Sequence, residues 1–221
     1  MKDIRAVIFD LDGTVVDAPY DWREIRNQMG VSGLPILSYL EGLEEPAKSR
    51  QMRLLDKFEK EATKKAKLKP GMKKFHLFLK KQGLQIALVT NNSRPNVEFL
   101  RRKFGLRFDA VLTRESGLWK PSGAPFREVM AQLGVQPEQC AVIGDSLYDL
   151  KAGQEAGIKN IFILWERKGV SAPEGAEIFS SVSALQRRFV ELLGVKKPKV
   201  LARAGQPKKR SRVPREEEKR S

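Results

Sequence analysis

Short apolar runs alternate with amphipathic stretches along the chain. Five runs, RAVIFDL (5–11), LQIALVT (84–90), FDAVLT (108–113), CAVIGD (140–145) and NIFILW (160–165), are continuously apolar rather than strictly alternating. Strands buried on both faces read this way. Between them GMKKFHLFLKKQG, RPNVEFLRRKFG, APFREVMAQLG and LYDLKAGQEAG carry apolar positions at helical spacing and close on Gly83, Gly105, Gly134 and Gly157. Glycine is the residue type that ends a helix in the left-handed conformation. Strand and helix repeated in this order predict right-handed crossovers and an α/β fold, a Rossmann-like parallel five-stranded sheet with helices on both faces. Ligands of such sheets bind beyond the carboxyl ends of the strands.

The spacing breaks once. Residues 18–68 separate the first strand from the helix leading to the second, far more chain than a crossover needs. Three helical patterns fill the gap: DWREIRNQMG with Asp21 as N-cap, LPILSYLEGL, and EPAKSRQMRLLDKFEKEATKKAK, which places Met52, Leu55, Phe58 and Ala62 on one face. The expectation is a small helical cap over 18–68, inserted into a catalytic core made of 1–17 and 69–195.

Charge adds a third segment. The chain of 221 residues carries a net charge of +15, and residues 196–221 hold eleven Lys or Arg against three Glu, giving +8. This tail has three prolines and almost no large apolar residue, so it is expected to be disordered and solubilising. Weak binding to RNA or another polyanion is the one partner its charge suggests. Cys140 is the single cysteine and lies in an apolar run, which makes it a small core residue of a chain in a reducing compartment. No run approaches the roughly 20 apolar residues of a membrane helix, and MKDIRAVIFDL enters a strand at once, so a cytoplasmic location without membrane contact is expected.

The ends of the apolar runs hold the chemistry. In AVIFDLDGTVVD, Asp10 and Asp12 lie two apart and so point to the same side, while Gly13 lets the chain turn sharply beyond them. Two like charges this close call for a cation. LVTNNS ends in Thr90, with Asn91 and Asn92 behind it, and VIGDSLYD ends in Asp145, with Asp149 one helical turn further on. Lys120, in LWKPSGAPF, follows the third run. One sheet edge thus collects carboxylates able to hold a hard cation, a hydroxyl, and a compact positive charge.

In these four motifs, in this order, the sequence resembles the haloacid dehalogenase superfamily of hydrolases, and within it the phosphoglycolate-phosphatase-like branch. The resemblance covers about residues 5 to 193, since GAEIFSSVSAL is similar to that branch's last strand and loop. It implies that Asp10 is the nucleophile attacking phosphorus, and that Asp12 protonates the leaving oxygen and then activates water. It implies further that Thr90 hydrogen-bonds the phosphoryl group, that Lys120 neutralises it, and that Mg²⁺ is held by Asp10, the Asp12 main-chain carbonyl and Asp145, with Asp149 in support. Phosphoryl transfer asks chiefly for positioning and charge neutralisation, which such a set supplies. Asp12 argues against dehalogenation, which has no alkoxide to protonate. The spacing in WKPSGAPF is one residue longer than the commonest KPxP form and leaves the local helix start open.

The reading is a Mg²⁺-dependent phosphatase of a small phosphorylated metabolite. Asn91 and Arg94 are candidate substrate contacts, Arg94 being equally readable as solvent-facing. Trp22, Arg23, Arg26 and Tyr39 are cap candidates for choosing the leaving group. His76 lies away from every strand end and reads as packing. A phosphomutase of the same fold would use the same aspartates, and a basic-tailed binding protein with a vestigial core would have lost one of them. Neither the particular phosphomonoester nor the oligomeric state is written in the sequence.

Overall fold

A computed structural model describes residues 3–165 and 173–195. The basic tail read from the sequence at 196–221 lies outside the described residues.

Six parallel strands form one sheet: β1 (Ala6–Phe9), β4 (Gln85–Val89), β5 (Ala110–Leu112), β6 (Cys140–Gly144), β7 (Asn160–Leu164) and β8 (Glu177–Phe179), in the order β5-β4-β1-β6-β7-β8. The chain lays β4 and β5 on one side of β1, then returns to lay β6, β7 and β8 on the other. This reversal makes the gap between β1 and β6 the switch point, where a crevice opens at the carboxyl edge. The sheet has six strands rather than the expected five. The extra one, β8, has three residues at the sheet's edge and is only partly covered, so it carries no long apolar run to reveal it.

Helices α4 (Met72–Lys81), α5 (Arg94–Phe104) and α8 (Val182–Leu192) cover one face, burying Phe75, Leu79, Leu100 and Phe189 against Phe9, Leu88 and Phe162. On the other face α6 (Ala124–Leu133) and α7 (Leu147–Glu155) bury Phe126, Val129 and Leu150 against Ile8, Val89 and Val142. Neighbouring residues of one strand thus serve opposite cores, which is why the runs are apolar throughout. Helix α6 starts at Ala124, whose N–H reaches the Ser122 hydroxyl at 3.2 Å, so the extra residue of WKPSGAPF is taken up before the helix.

Residues 18–66 form the remaining layer. β2 (Val16–Asp17) and β3 (Lys67–Leu68) pair antiparallel, Val16 with Leu68 and Asp17 with Lys67, so the chain leaves and re-enters the sheet region side by side. Between them stand α1 (Trp22–Met29), α2 (Ile36–Glu41) and α3 (Ala47–Lys65). Asp21 caps α1, its carboxylate accepting from Glu24 N–H at 2.9 Å. Ile25, Met29, Leu37, Leu40 and Leu55 make a separate core, and Trp119, from the loop before α6, packs on it. The buried stripe of α3 runs through Leu55, Glu59, Ala62 and Thr63; Met52 and Phe58 are only partly buried, so the face is turned slightly from the expected one.

Candidate active site

Asp10 and Thr90 each follow a strand by one residue and extend its ladder: Asp10 N–H donates to Ile143 at 2.9 Å and Thr90 N–H to Leu112 at 3.0 Å. Their side chains are therefore aimed by sheet geometry, the most rigid support in the fold. Gly13 has φ +86°, and a Cβ there would stand 2.3 Å from Oδ2 of Asp145. Gly144 permits an equally close approach, since a Cβ at that position would meet the Asp149 side chain at 2.3 Å. Two glycines thus let the carboxylates of the β6–α7 turn press against backbone.

Lys120 is the hub. Its Nζ donates to Asp10 Oδ1 at 2.5 Å and to Asp149 Oδ1 at 2.6 Å, and all three residues are buried. The other oxygen of Asp149 accepts from the Ser146 hydroxyl at 2.6 Å and from the N–H of Ser146 and Asp145 at 3.1 and 3.3 Å. Asn91 holds the Lys120 backbone with its amide, accepting from Lys120 N–H and donating to Lys120 C=O, both at 2.9 Å. The neighbouring Asn92 donates through Nδ2 to Asp12 Oδ2 at 2.8 Å and to the Tyr20 hydroxyl at 2.9 Å. Its backbone N–H reaches Thr90 Oγ1 at 3.1 Å.

Electrostatics follow from this packing. Burial drives the carboxyl of Asp10 well above the ordinary range; Lys120 opposes the rise, while Asp149, Asp145 and Asp12 add to it. Burial also raises Asp12, against the hydrogen bonds from Asn92 and Tyr20 and the charges of Lys120 and Arg114. For Lys120 burial acts downward, yet Asp10 and Asp149 outweigh it and hold the ammonium above its usual value.

Asp10, Asp12, Thr90, Asn91, Lys120 and Asp145 all line one cavity of about 420 Å³. Asp149 lies behind it, fully buried, gripping Lys120. Arg94 stands apart: it is exposed at the start of α5, its N–H bonded to the carboxylate of Glu115 at 3.0 Å, and it is absent from the cavity lining. Of the four cap candidates, Trp22 and Arg26 line the cavity. His76 packs flat on Phe108, ring centroids 5.5 Å apart, and is absent from the cavity lining.

Two site residues escaped the sequence reading. Glu59, on α3, lines the cavity and is buried, its carboxyl pushed up to about 8 by burial in spite of Arg114. Arg114, just past β5, is buried beside it. One signal was available: Glu59 lies four residues after Leu55 and three before Ala62, on the apolar stripe of its helix, where a carboxylate needs a partner. Asn92 was visible only as the second of two adjacent amides.

Oxygen atoms of Asp10, Asp145 and Asp149 lie within 4.8 Å of one another. An all-carboxylate set of this kind suits a hard divalent cation of the Mg²⁺ type. With both Asp149 oxygens occupied by Lys120 and Ser146, the remaining oxygen of Asp10 and the carboxylate of Asp145 are the better placed donors.

A switch-point crevice whose strand ends present carboxylates, a buried lysine and a hydroxyl to one cavity defines an α/β enzyme that handles an anionic group. The chain belongs to the haloacid dehalogenase-like hydrolases, whose family model matches residues 4–157. It is 29% identical over 171 residues to the uncharacterized hydrolase YOR131C of Saccharomyces cerevisiae, covering 74% of this chain and 78% of that protein. It is 26% identical over 190 residues to the pyrophosphatase PpaX of Bacillus velezensis, covering 76% of this chain and 87% of that one. The crystal structure of CbbY from Rhodobacter sphaeroides in complex with phosphate shares the fold, with a TM-score of 0.64, 23% identity, and coverage of 82% and 96%. Among the described residues no helix is long and apolar enough to cross a membrane.

Proposed function

We propose that this hydrolase is a Mg²⁺-dependent phosphatase of small phosphomonoesters that works through an aspartyl-phosphate. The observation that carries the reading is the buried Lys120 ammonium joined to Asp10 at 2.5 Å, at the floor of a cavity and within reach of Asp145. A phosphoryl group entering there meets a carboxylate nucleophile and its neutralising charge together.

In this reading an Asp10 oxygen attacks phosphorus and the bond from phosphorus to the ester oxygen breaks. Asp12, whose carboxyl is raised by burial, gives its proton to that oxygen as the alcohol leaves. Its Oδ1 is buried with no partner among the described residues, and Oδ2 is held by Asn92, so one oxygen is aimed and the other is left for proton exchange. Asp12 then takes a proton from water, which attacks phosphorus and releases phosphate and Asp10. Thr90 offers its hydroxyl to the phosphoryl oxygens. Asp10, Asp145 and the Asp12 carbonyl would hold Mg²⁺, with Asp149 in support chiefly through Lys120. The bound cation supplies charge neutralisation and, like Lys120, favours the ionised form of Asp10.

Helices α1–α3 act as the cap that selects the leaving group, inserted between two parts of the catalytic core. Weak polyanion binding by residues 196–221 is proposed from their charge alone. The test is phosphate release from a panel of phosphomonoesters, with inorganic pyrophosphate included, in Mg²⁺ and in EDTA. Release that needs Mg²⁺ and is lost in Asp10→Asn is expected; full activity in EDTA refutes the reading.

A further inference from the structure

The cavity has two halves of different chemistry. Its floor is the polar end just described. Its walls, contributed by α1, the start of α2, α3 and the first turn of α7, are largely apolar, with Trp22, Pro35, Ile36, Leu37, Leu55 and Leu147 beside Arg26, Glu59 and Tyr148. Trp22 and Leu147 are 44% and 47% exposed, and Leu34, next to Pro35, is 55% exposed. A single exposed apolar residue means little. Here Trp22 and Leu147 come from two distant parts of the chain and line one cavity, which marks a surface completed by an apolar ligand.

The wall is also rigid where it matters. The Trp22 ring lies on the Tyr20 ring at 4.6 Å between centroids and 21° between planes. The Tyr20 hydroxyl accepts from Asn92, which also donates to Asp12. A flat group settling on Trp22 therefore rests on a stack tied by hydrogen bonds to the proton-transfer residue.

The wall offers other leaving groups little positive charge. Besides Lys120, which is committed to Asp10 and Asp149, Arg26 is the one cation lining the cavity among the described residues. One of its nitrogens donates to Leu34 C=O at 2.8 Å. Glu59 lines the same wall, but its carboxyl is raised by burial and bonded to Arg114, so it offers an anionic group nothing to bind. A short carboxylic acid or a second phosphate finds a single arginine there, one of its nitrogens already engaged by Leu34 C=O, and a polyhydroxyl sugar meets mostly hydrocarbon.

Resting on the phosphatase reading, we propose that the substrate is the phosphate monoester of an alcohol bearing a flat aromatic or heteroaromatic ring, with the ring held between Trp22 and the α7 edge at Leu147. A cavity of about 420 Å³ has room for such a ring above a phosphoryl group.

The experiment uses ester pairs with the same type of scissile bond, one with a ring and one without: uridine 5′-monophosphate against ribose 5-phosphate, and benzyl phosphate against ethyl phosphate, with phosphoglycolate as a third class. The full chain in Mg²⁺ should show kcat/KM higher for the ring-bearing member by about tenfold or more in both pairs. Trp22→Ala should raise KM for benzyl phosphate more than for ethyl phosphate and so compress the ratio. Calorimetry with Asp10→Asn gives a second reading without turnover, and tighter binding of benzyl than of ethyl phosphate is expected there too. Hydrolysis that favours phosphoglycolate or ribose 5-phosphate, or equal loss of both esters in Trp22→Ala, overturns the ring proposal and leaves the phosphatase intact. If no ester is hydrolysed, the phosphatase reading falls, and the calorimetric comparison alone decides whether the cavity takes a ring.

Discussion

Arg114 donates through one guanidinium nitrogen to both carboxylate oxygens of Glu59, at 2.8 and 2.7 Å, and through the other to Asp56. Glu59 and Asp56 belong to α3, whereas Arg114 follows β5, and the Arg114 and Glu59 side chains are 5% and 4% exposed. The pair bolts the α1–α3 layer to the sheet from inside the cavity wall. A buried charge stripped of its partner is far costlier than a pair replaced whole. Arg114→Ala should destabilise the protein by about 3–5 kcal/mol. Arg114→Met combined with Glu59→Leu should recover most of that loss. Urea denaturation of the three variants checks this; a double variant as unstable as Arg114→Ala would show that packing, not charge, is what Arg114 supplies.

In the proposed mechanism Asp10→Asn removes the nucleophile but keeps an oxygen for Lys120. Phosphate release should fall by at least about 1000-fold. Because burial and three neighbouring carboxylates make the charged form of Asp10 unfavourable, the metal-free variant should melt no lower than the parent. Retained turnover, or a collapsed circular dichroism spectrum, contradicts this.

Gly13→Ala tests the close approach at the β1 turn. Its Cβ would lie 2.3 Å from Asp145 Oδ2, on a backbone at φ +86°. Displacing that carboxylate should raise the Mg²⁺ concentration for half-maximal activity by about 10–100-fold, at a stability cost of about 1–3 kcal/mol. A Mg²⁺ titration of initial rates, beside a thermal melt, reads both.

His76 is the single histidine, so its imidazole signal stands alone in an NMR titration. Burial lowers its pKa, Lys80 adds to the effect and Asp109 opposes it. The folded pKa thus lies below the unfolded one of about 6.5. As pH falls the unfolded chain takes the proton first, so this contribution to stability is complete above about 6.5 and is lost on acidification below it. His76→Phe, which keeps a ring on Phe108, should flatten the fall in stability below about pH 6.5 relative to the parent. Titration of His76 at or above 6.5 would refute it.

The positions that came through from sequence are those fixed by the sheet. Asp10, Thr90 and Asp145 are legible because a continuous apolar run must end at the sheet's edge, and its next residue is placed by the ladder. Strand β8 was visible only through similarity, since three residues at an edge, two of them exposed, have no periodicity to detect. The Glu59–Arg114 pair joins positions 55 residues apart, and a glutamate among Lys57, Lys60 and Glu61 looks like solvated charge unless the helix stripe is followed. Choosing between Asn91 and Asn92 needed the turn itself: backbone direction after Thr90 sends one amide to the Lys120 main chain and the other to Asp12.

The two-residue ladder of Val16–Asp17 with Lys67–Leu68 has an evolutionary corollary. Its two chains stand about 4.8 Å apart, the spacing of neighbouring strands. Any helical segment whose ends meet at that distance can be spliced in there without shifting the register of the six strands. The sheet can keep its chemistry through such exchanges while the spliced segment is traded, lengthened or redecorated, so descendants of one ancestor can share their aspartates and differ in what they dephosphorylate.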